Sequence, residues 1–369
     1  MRRIAIINQK GGVGKTTTAV NLGAALAHRG QRVLLIDLDP QAHLTMSLGL
    51  TPSSGEPNIY HGLTESVPLC RLRRSVRENL WVVASHIDLA AAEVELVSVV
   101  GREVILRDLI EQDGQSFDFV LMDCPPSLGI LTLNALAAAN EVLIPLQPQF
   151  LALQGVGKLL ETVMLVARRI NPALRVTGIV LCMYDGGTRL TGEVVEDLDK
   201  FLASWRGKDT PWSQARIFET VIRRNIRLAE CPSHGLPIME YAPRSNGAID
   251  YMDLACELLG EPRPSMLARA DSSGPTAAAT EAEQPPVHAD SGADVRPAEQ
   301  DLAGARPIRL TFEPEAASGE AALQAGPPAP AEQRTEPPQT SGEPVCPGSP
   351  EVAPPCEAVP QPLPGADRG

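Results

Sequence analysis

Apolar residues in the first 260 positions alternate between two spacings. Runs of consecutive apolar residues stand at 4–7, 33–36, 80–84, 117–122, 141–145 and 176–183. Runs that are apolar on both faces predict strands of a parallel sheet covered on both sides. Between them apolar positions recur at helical spacing, over 16–28, 88–111, 131–139, 153–170, 191–205 and 245–259. Strands alternating with helices predict an α/β domain, a mostly parallel twisted sheet with helices on both faces. In such folds ligands sit at the carboxyl ends of strands, where the strand order reverses.

The pattern stops near residue 261. Residues 261–369 hold 21 of the 34 prolines, no lysine, and 17 acidic against 7 basic side chains. They carry −10 of the formal −13 charge, which leaves −3 on the first 260 residues. A Pro-, Ala- and Glu-rich stretch with few large apolar residues cannot offset the entropy of ordering. The chain therefore reads as one folded domain, 1–260, and a disordered acidic tail, 261–369. Within the tail, Arg306-Pro307-Ile308-Arg309-Leu310-Thr311-Phe312 reads as coil or as a short docking motif that orders on binding. The seven cysteines form no Cys-x-x-Cys pair, so no zinc site or redox motif is expected. Arg2 and Arg3 precede only a strand-length apolar run, and no stretch approaches the roughly 18 apolar residues that span a bilayer. The expectation is a soluble cytosolic protein.

The chemistry gathers where predicted strands end. The first runs into Gln9-Lys10-Gly11-Gly12-Val13-Gly14-Lys15-Thr16-Thr17 and then into a helix expected to be amphipathic over 19–28. Glycines let such a turn fold tightly, so its N–H groups converge on an anion, and the helix N-terminus adds positive partial charge. This is a phosphate loop: Lys15 is placed to reach the β/γ-phosphates and Thr16 to ligate Mg²⁺. The usual pattern has glycine five residues before the Gly-Lys pair. Here that position is Gln9, and a second lysine, Lys10, follows it. Two lysines on one turn repel each other, so one is expected to work elsewhere.

The second strand ends in Asp37-Leu38-Asp39-Pro40-Gln41. Residues two apart on a strand project to the same side, so both carboxylates are expected to face the nucleotide. One carboxylate can hold a magnesium-bound water while the other orients the attacking water. The fourth predicted strand ends in Asp123-Cys124-Pro125-Pro126. A terminal aspartate there is the usual partner of a phosphate loop, meeting Mg²⁺ through a water.

Together, residues 10–17, 37–41 and 123–126 resemble the deviant Walker ATPases of the ParA/MinD type. Pro145-Leu146-Gln147-Pro148-Gln149-Phe150 and Asn225-Ile226-Arg227-Leu228-Ala229-Glu230-Cys231-Pro232-Ser233-His234-Gly235 are similar to the chromosomal, Soj-like ParA branch. The resemblance covers about residues 1–260. It implies an Mg²⁺-dependent ATP hydrolase with the P-loop NTPase fold. It implies that Lys10 crosses an ATP-sandwiched dimer interface to the partner's phosphates, while Lys15 serves its own nucleotide. Asp39 matches the carboxylate that positions the hydrolytic water, Asp37 lies beside it, and Asp123 matches the Walker B acid. Asn225 falls where the family recognises adenine. Arg223-Arg224 stands before it where Pro-Arg is usual, and Arg223 occupies the expected adenine-contact position.

The resemblance also implies partners: a second copy when ATP is bound, DNA bound without sequence preference, and a ParB-like centromere-binding protein that stimulates slow hydrolysis. The expected location is the cytoplasm, on the nucleoid. Phosphate contacts depend on local lysines and arginines rather than overall charge. Arg216, Arg223, Arg224 and Arg227 cluster within twelve residues. Arg224 sits at the family position most associated with DNA. In Asp185-Gly186-Gly187-Thr188-Arg189-Leu190 an expected arginine is Gly187, and Arg189 replaces an asparagine. MinD-like relatives lie on membranes through a basic C-terminal helix, whereas residues 248–261 are acidic here, so no membrane partner is expected. The alternatives are a same-family positioner of another cargo, a MinD-like division-site regulator, and a P-loop metabolic ligase or reductase.

Overall fold

The computed structural model describes residues 1–51, 53, 55–149 and 152–264. The 306–312 motif and all of the expected tail beyond residue 264 lie outside the described residues. Nine strands are present among the described residues: β1 (Arg2–Ile6), β2 (Val33–Asp37), β3 (Arg73–Arg77), β4 (Leu80–Val83), β5 (Phe119–Asp123), β6 (Glu141–Leu146), β7 (Arg175–Tyr184), β8 (Arg216–Ile217) and β9 (Ile222–Arg223). Their order is β3-β4-β2-β5-β1-β6-β7-β8, with β9 pairing β7 off that path. Every pairing is parallel except β3 with β4.

All six expected strands are present. β3, β8 and β9 were not expected. The sequence of β3, Arg-Arg-Ser-Val-Arg, has no apolar run, because an edge strand need not be buried on both faces. β8 and β9 are two residues each, too short to leave a periodic signal.

The strand order reverses at β1. β5 and β2 lie on one side of it and β6 and β7 on the other, so the crevice at its carboxyl end is where the topology places a ligand. β1 also divides the core. Ala5 and Ile7 pack into the cluster on one face of the sheet, and Ile4 and Ile6 into the cluster on the other. Complete burial of each isoleucine contributes roughly 1.5–3 kcal/mol.

The helix after the glycine turn, Lys15–His28, is not amphipathic as expected. Residues from Thr18 through Ala27 are buried without a break. It is enclosed between the sheet and the last helix, Asn246–Leu259, so no face is left for solvent. Its small residues permit this. A Cβ on Gly23 would stand 2.6 Å from a Leu35 methyl, so any side chain here would force Leu35 to move, and glycine permits the close helix–sheet approach. The last helix buries Tyr251, Leu254 and Ala255 in the same cluster, and Gly260 closes it in the left-handed region at φ 74°.

The single helix expected over 88–111 is broken. Leu89–Glu95 passes into a short 3₁₀ turn, Leu96–Ser98, and a new helix starts at Ile105. Gly101 in the gap has φ 76°, a conformation an α-helix cannot contain.

Candidate functional site

The turn between β1 and the Lys15–His28 helix carries out what its glycines suggest. Gly12 and Gly14 sit at φ 72° and 93°, where residues with a Cβ are strained. The helix has no side-chain cap at Gly14 and no acidic residue in its first turn. Its first amides are therefore left for an anion. Lys15 is buried at the base of the turn, and its Nζ donates to the Lys10 carbonyl at 3.3 Å. Burial pushes the Lys15 ammonium below its usual range, opposed by the charges of Asp123 and Asp39.

A cavity of about 950 Å³ opens beside this turn. Residues of the turn from Gly11 to Thr17 line it, apart from Val13, whose side chain is buried in the interior. Asp39 faces it from the loop after β2, and Arg223 at the end of β9 and Arg224 and Asn225 just after it border it. The Asn225 carboxamide oxygen accepts the Arg227 N–H at 2.9 Å and so caps the helix Ile226–His234. Arg223 is tied through its side chain and its N–H to Asp250.

Lys10 does not line the cavity. It is exposed, and its Nζ donates to the side-chain carbonyl of Gln149, in the loop after β6. Asn8 braces the two segments: its Oδ1 accepts the Lys10 N–H at 3.0 Å and its Nδ2 donates to the Pro145 carbonyl at 2.8 Å. The two lysines of the turn thus have separate surroundings.

The two aspartates after β2 also separate, and this corrects an expectation. Asp37 does not face the cavity. It is fully buried, and both carboxylate oxygens are occupied. Oδ2 accepts the Thr45 N–H at 2.9 Å and the Thr45 hydroxyl at 2.7 Å, and Oδ1 accepts the Asp39 N–H at 3.2 Å. Burial dominates over these donors and pushes the Asp37 carboxyl up to about 7. The alternation argument fails because the chain leaves the extended conformation after Asp37, the last residue of β2.

Asp123 lies beside Asp37 in the β2–β5 register. It is also buried, yet neither of its carboxylate oxygens has a hydrogen-bond partner among the described residues. Burial and the Asp37 charge push its pKa well above the ordinary value, and the nearby Thr16 hydroxyl and Lys15 ammonium offset only part of that. An unpartnered buried carboxylate beside a threonine hydroxyl and below a phosphate-binding turn has the donor set of a hard cation. The residues present fit Mg²⁺ held by Thr16 and, through a water, by Asp123.

The arginines expected on DNA are not equivalent. Arg216 pairs with Glu257, Arg227 with Glu230 and Arg189 with Glu193. Arg224 is exposed and has no ion pair among the described residues. Two residues that matter to the site carried no sequence signal, Thr45 and Ser85. Each is a lone hydroxyl outside any motif.

A strand, a glycine turn with an uncapped helix, and a buried acid on the adjacent strand define a P-loop nucleoside triphosphatase. A family profile described as an AAA domain matches residues 1–176. The sporulation initiation inhibitor protein Soj of Bacillus subtilis (strain 168) is 46% identical over 256 residues, 69% of this chain and 97% of that protein. The chromosome-partitioning ATPase Soj of Treponema pallidum (strain Nichols) is 43% identical over 258 residues, 70% of this chain and 97% of that protein. Among solved structures, cobyrinic acid a,c-diamide synthase from Mycobacterium smegmatis with bound ATP analog and magnesium aligns with a TM-score of 0.59 at 37% identity, over 70% of this chain and 94% of that one. The chain belongs to the Soj/ParA family of partition ATPases, within the ParA/MinD superfamily. It is an ATP hydrolase that works with ATP and Mg²⁺. Among the described residues no helix is long and apolar enough to cross a membrane.

Proposed function

We propose that this ATPase is a nucleotide-gated dimer that binds DNA without sequence preference and drives chromosome or plasmid partition with a ParB-like stimulator. The observation that carries the reading is the separation of the two lysines. Lys15 is buried at its own nucleotide cavity, whereas Lys10 stands outside it on an exposed loop. A cation whose side chain is turned away from its own nucleotide cavity is available to a second subunit closing over the same face.

In this reading the backbone of residues 11–17 cradles the phosphates, Lys15 neutralises them, and Arg223 and Asn225 border the base. Thr16 and, through a water, Asp123 would hold Mg²⁺, which would supply charge neutralisation at the phosphates. Asp39 orients the attacking water. Lys10 adds its charge from the partner subunit and completes the site only on closure, which keeps unstimulated hydrolysis slow. DNA phosphates meet Arg224 first, with Arg216, Arg227 and Arg189 joining after exchange of their carboxylate partners. Two such patches on a dimer act through effective concentration, so DNA affinity follows the nucleotide state. Residues 1–260 form the ATPase domain, with 261–369 as an acidic appendage. The site of action is the nucleoid, in the cytoplasm.

Co-sedimentation with DNA tests this. Wild type and Lys10→Ala are compared with ATP, ADP and no nucleotide, each at two salt concentrations. Salt-sensitive binding confined to wild type with ATP is expected. Equal binding in all three nucleotide states would refute the reading.

A further inference from the structure

The loop carrying Asp39 is tethered from outside by a chain of buried hydroxyls. Ser85, just beyond β4, donates its hydroxyl to the Asp39 carbonyl at 2.8 Å. The Ser85 N–H donates to the Thr45 hydroxyl at 2.9 Å, and that hydroxyl passes its own hydrogen to Asp37 Oδ2 at 2.7 Å. Asp37 Oδ1 then accepts the Asp39 N–H. The circuit closes on the residue from which it started: the peptide N–H of Asp39 is held by Asp37 and its carbonyl by Ser85. Within the loop, Ala42 N–H also donates to the Asp39 carbonyl at 2.9 Å, and Gln41 N–H to Asp39 Oδ1 at 3.0 Å.

These contacts come from three elements: the ends of β2 and β4 and the short helix His43–Ser47. Ser85, Thr45 and Asp37 are all fully buried, so water does not compete for the hydrogen bonds among these three. With Asp37 ionised, the Thr45 hydroxyl accepts from the Ser85 N–H and gives its one hydrogen to Asp37. The loop itself is unfavourable in isolation. Ala42 adopts φ 54°, in the left-handed region, and no glycine occupies 37–42 to relieve it. A strained loop without the outside tether relaxes, and its one cavity-facing carboxylate moves with it.

We infer that Ser85 and Thr45 are positioning residues for hydrolysis: through Asp37 they hold the Asp39 backbone so that its carboxylate meets the attacking water. They touch neither nucleotide nor water. The inference rests on the reading of Asp39 as the water-orienting group.

The test measures phosphate release by the full chain across ATP concentration, with thermal melting alongside, in Ser85→Ala, Thr45→Val, Thr45→Ser and Asp39→Ala. Ser85→Ala and Thr45→Val each remove one hydroxyl of the circuit. Each should lower kcat about tenfold with KM within about twofold, since a small displacement of a reacting group costs rate rather than binding. Thr45→Ser keeps the hydroxyl and should stay within about threefold of wild type. Asp39→Ala should be inactive. Wild-type kcat in Ser85→Ala and Thr45→Val, with Asp39→Ala inactive, overturns the inference alone. Full activity in Asp39→Ala overturns the reading beneath it. Thr45→Ser falling as far as Thr45→Val, or KM rising in step with the loss of kcat, makes the role one of packing and also overturns the inference. Should Ser85→Ala fail to fold, the two Thr45 variants decide.

Discussion

β2 and β5 lie side by side, and each ends in a buried aspartate at the same register position, Asp37 against Asp123. The two carboxylates differ in what surrounds them. Asp37 receives three donors from protein and has no oxygen left to offer. Asp123 receives none within hydrogen-bonding geometry among the described residues, with the Thr16 hydroxyl nearby. A buried carboxylate with no partner costs the folded protein free energy, so such a group persists where a ligand completes it. Burial alone therefore does not separate a structural acid from a functional one. The number of satisfied oxygens does.

The largest effect is expected from breaking the unsatisfied side. Asp123→Asn removes the charge that the cation would meet in the proposed site and should lower Mg²⁺-dependent hydrolysis about a hundredfold or more, read as phosphate release. Nucleotide binding measured without Mg²⁺ should survive, because the glycine turn and Lys15 remain. Equal losses of binding and hydrolysis would mean that Asp123 supports the fold of the turn instead.

Asp37, which joins the hydroxyl circuit to Asp39, also bears on stability. Its carboxyl titrates near 3.8 unfolded and at about 7 folded. Between those values the native state binds more protons, so this group's contribution to stability is present at low pH and lost as pH rises through 7. Over the full window that is on the order of 4 kcal/mol for the ligand-free protein. Asp37→Asn should lessen the fall in denaturant midpoint between about pH 4.5 and about pH 8. An unchanged slope would remove Asp37 as its source.

The same contrast separates the arginines. Arg224 has no carboxylate partner among the described residues, whereas Arg216 shares Glu257. Arg224→Ala should lower the salt slope of DNA binding by about one per subunit, and Arg216→Ala by less. The reverse order would show that the ion pair with Glu257 opens on DNA. The smallest effect is expected at Gln149. Gln149→Ala releases Lys10 from its contact within the chain and should change hydrolysis by less than about threefold, since an exposed hydrogen bond contributes little.

Much of this was legible in the sequence, and the exceptions have physical causes. The strands of the buried sheet announced themselves as apolar runs. β3 did not, because it is a half-exposed edge rich in arginine. The glycine turn marked where the cavity opens, and repulsion between two lysines anticipated that Lys10 and Lys15 part company. The roles of Asp37 and Asp39 could not be divided by spacing alone. The division depends on Thr45, eight residues beyond Asp37, and on Ser85 beyond two further strands, which reaches Asp39 only once the sheet has formed. The helix expected over 88–111 failed for a local reason, Gly101, whose left-handed backbone lies inside an otherwise helical pattern.

The central claim is that Lys10 serves a second subunit. Its most direct test is the solution mass, by light scattering with ATP and Mg²⁺, of Asp39→Ala and of the double variant Lys10→Ala/Asp39→Ala. The account predicts an ATP-dependent dimer for the single variant, which cannot hydrolyse the nucleotide that joins the subunits, and a monomer for the double. A double variant that dimerises as well as the single one would contradict it.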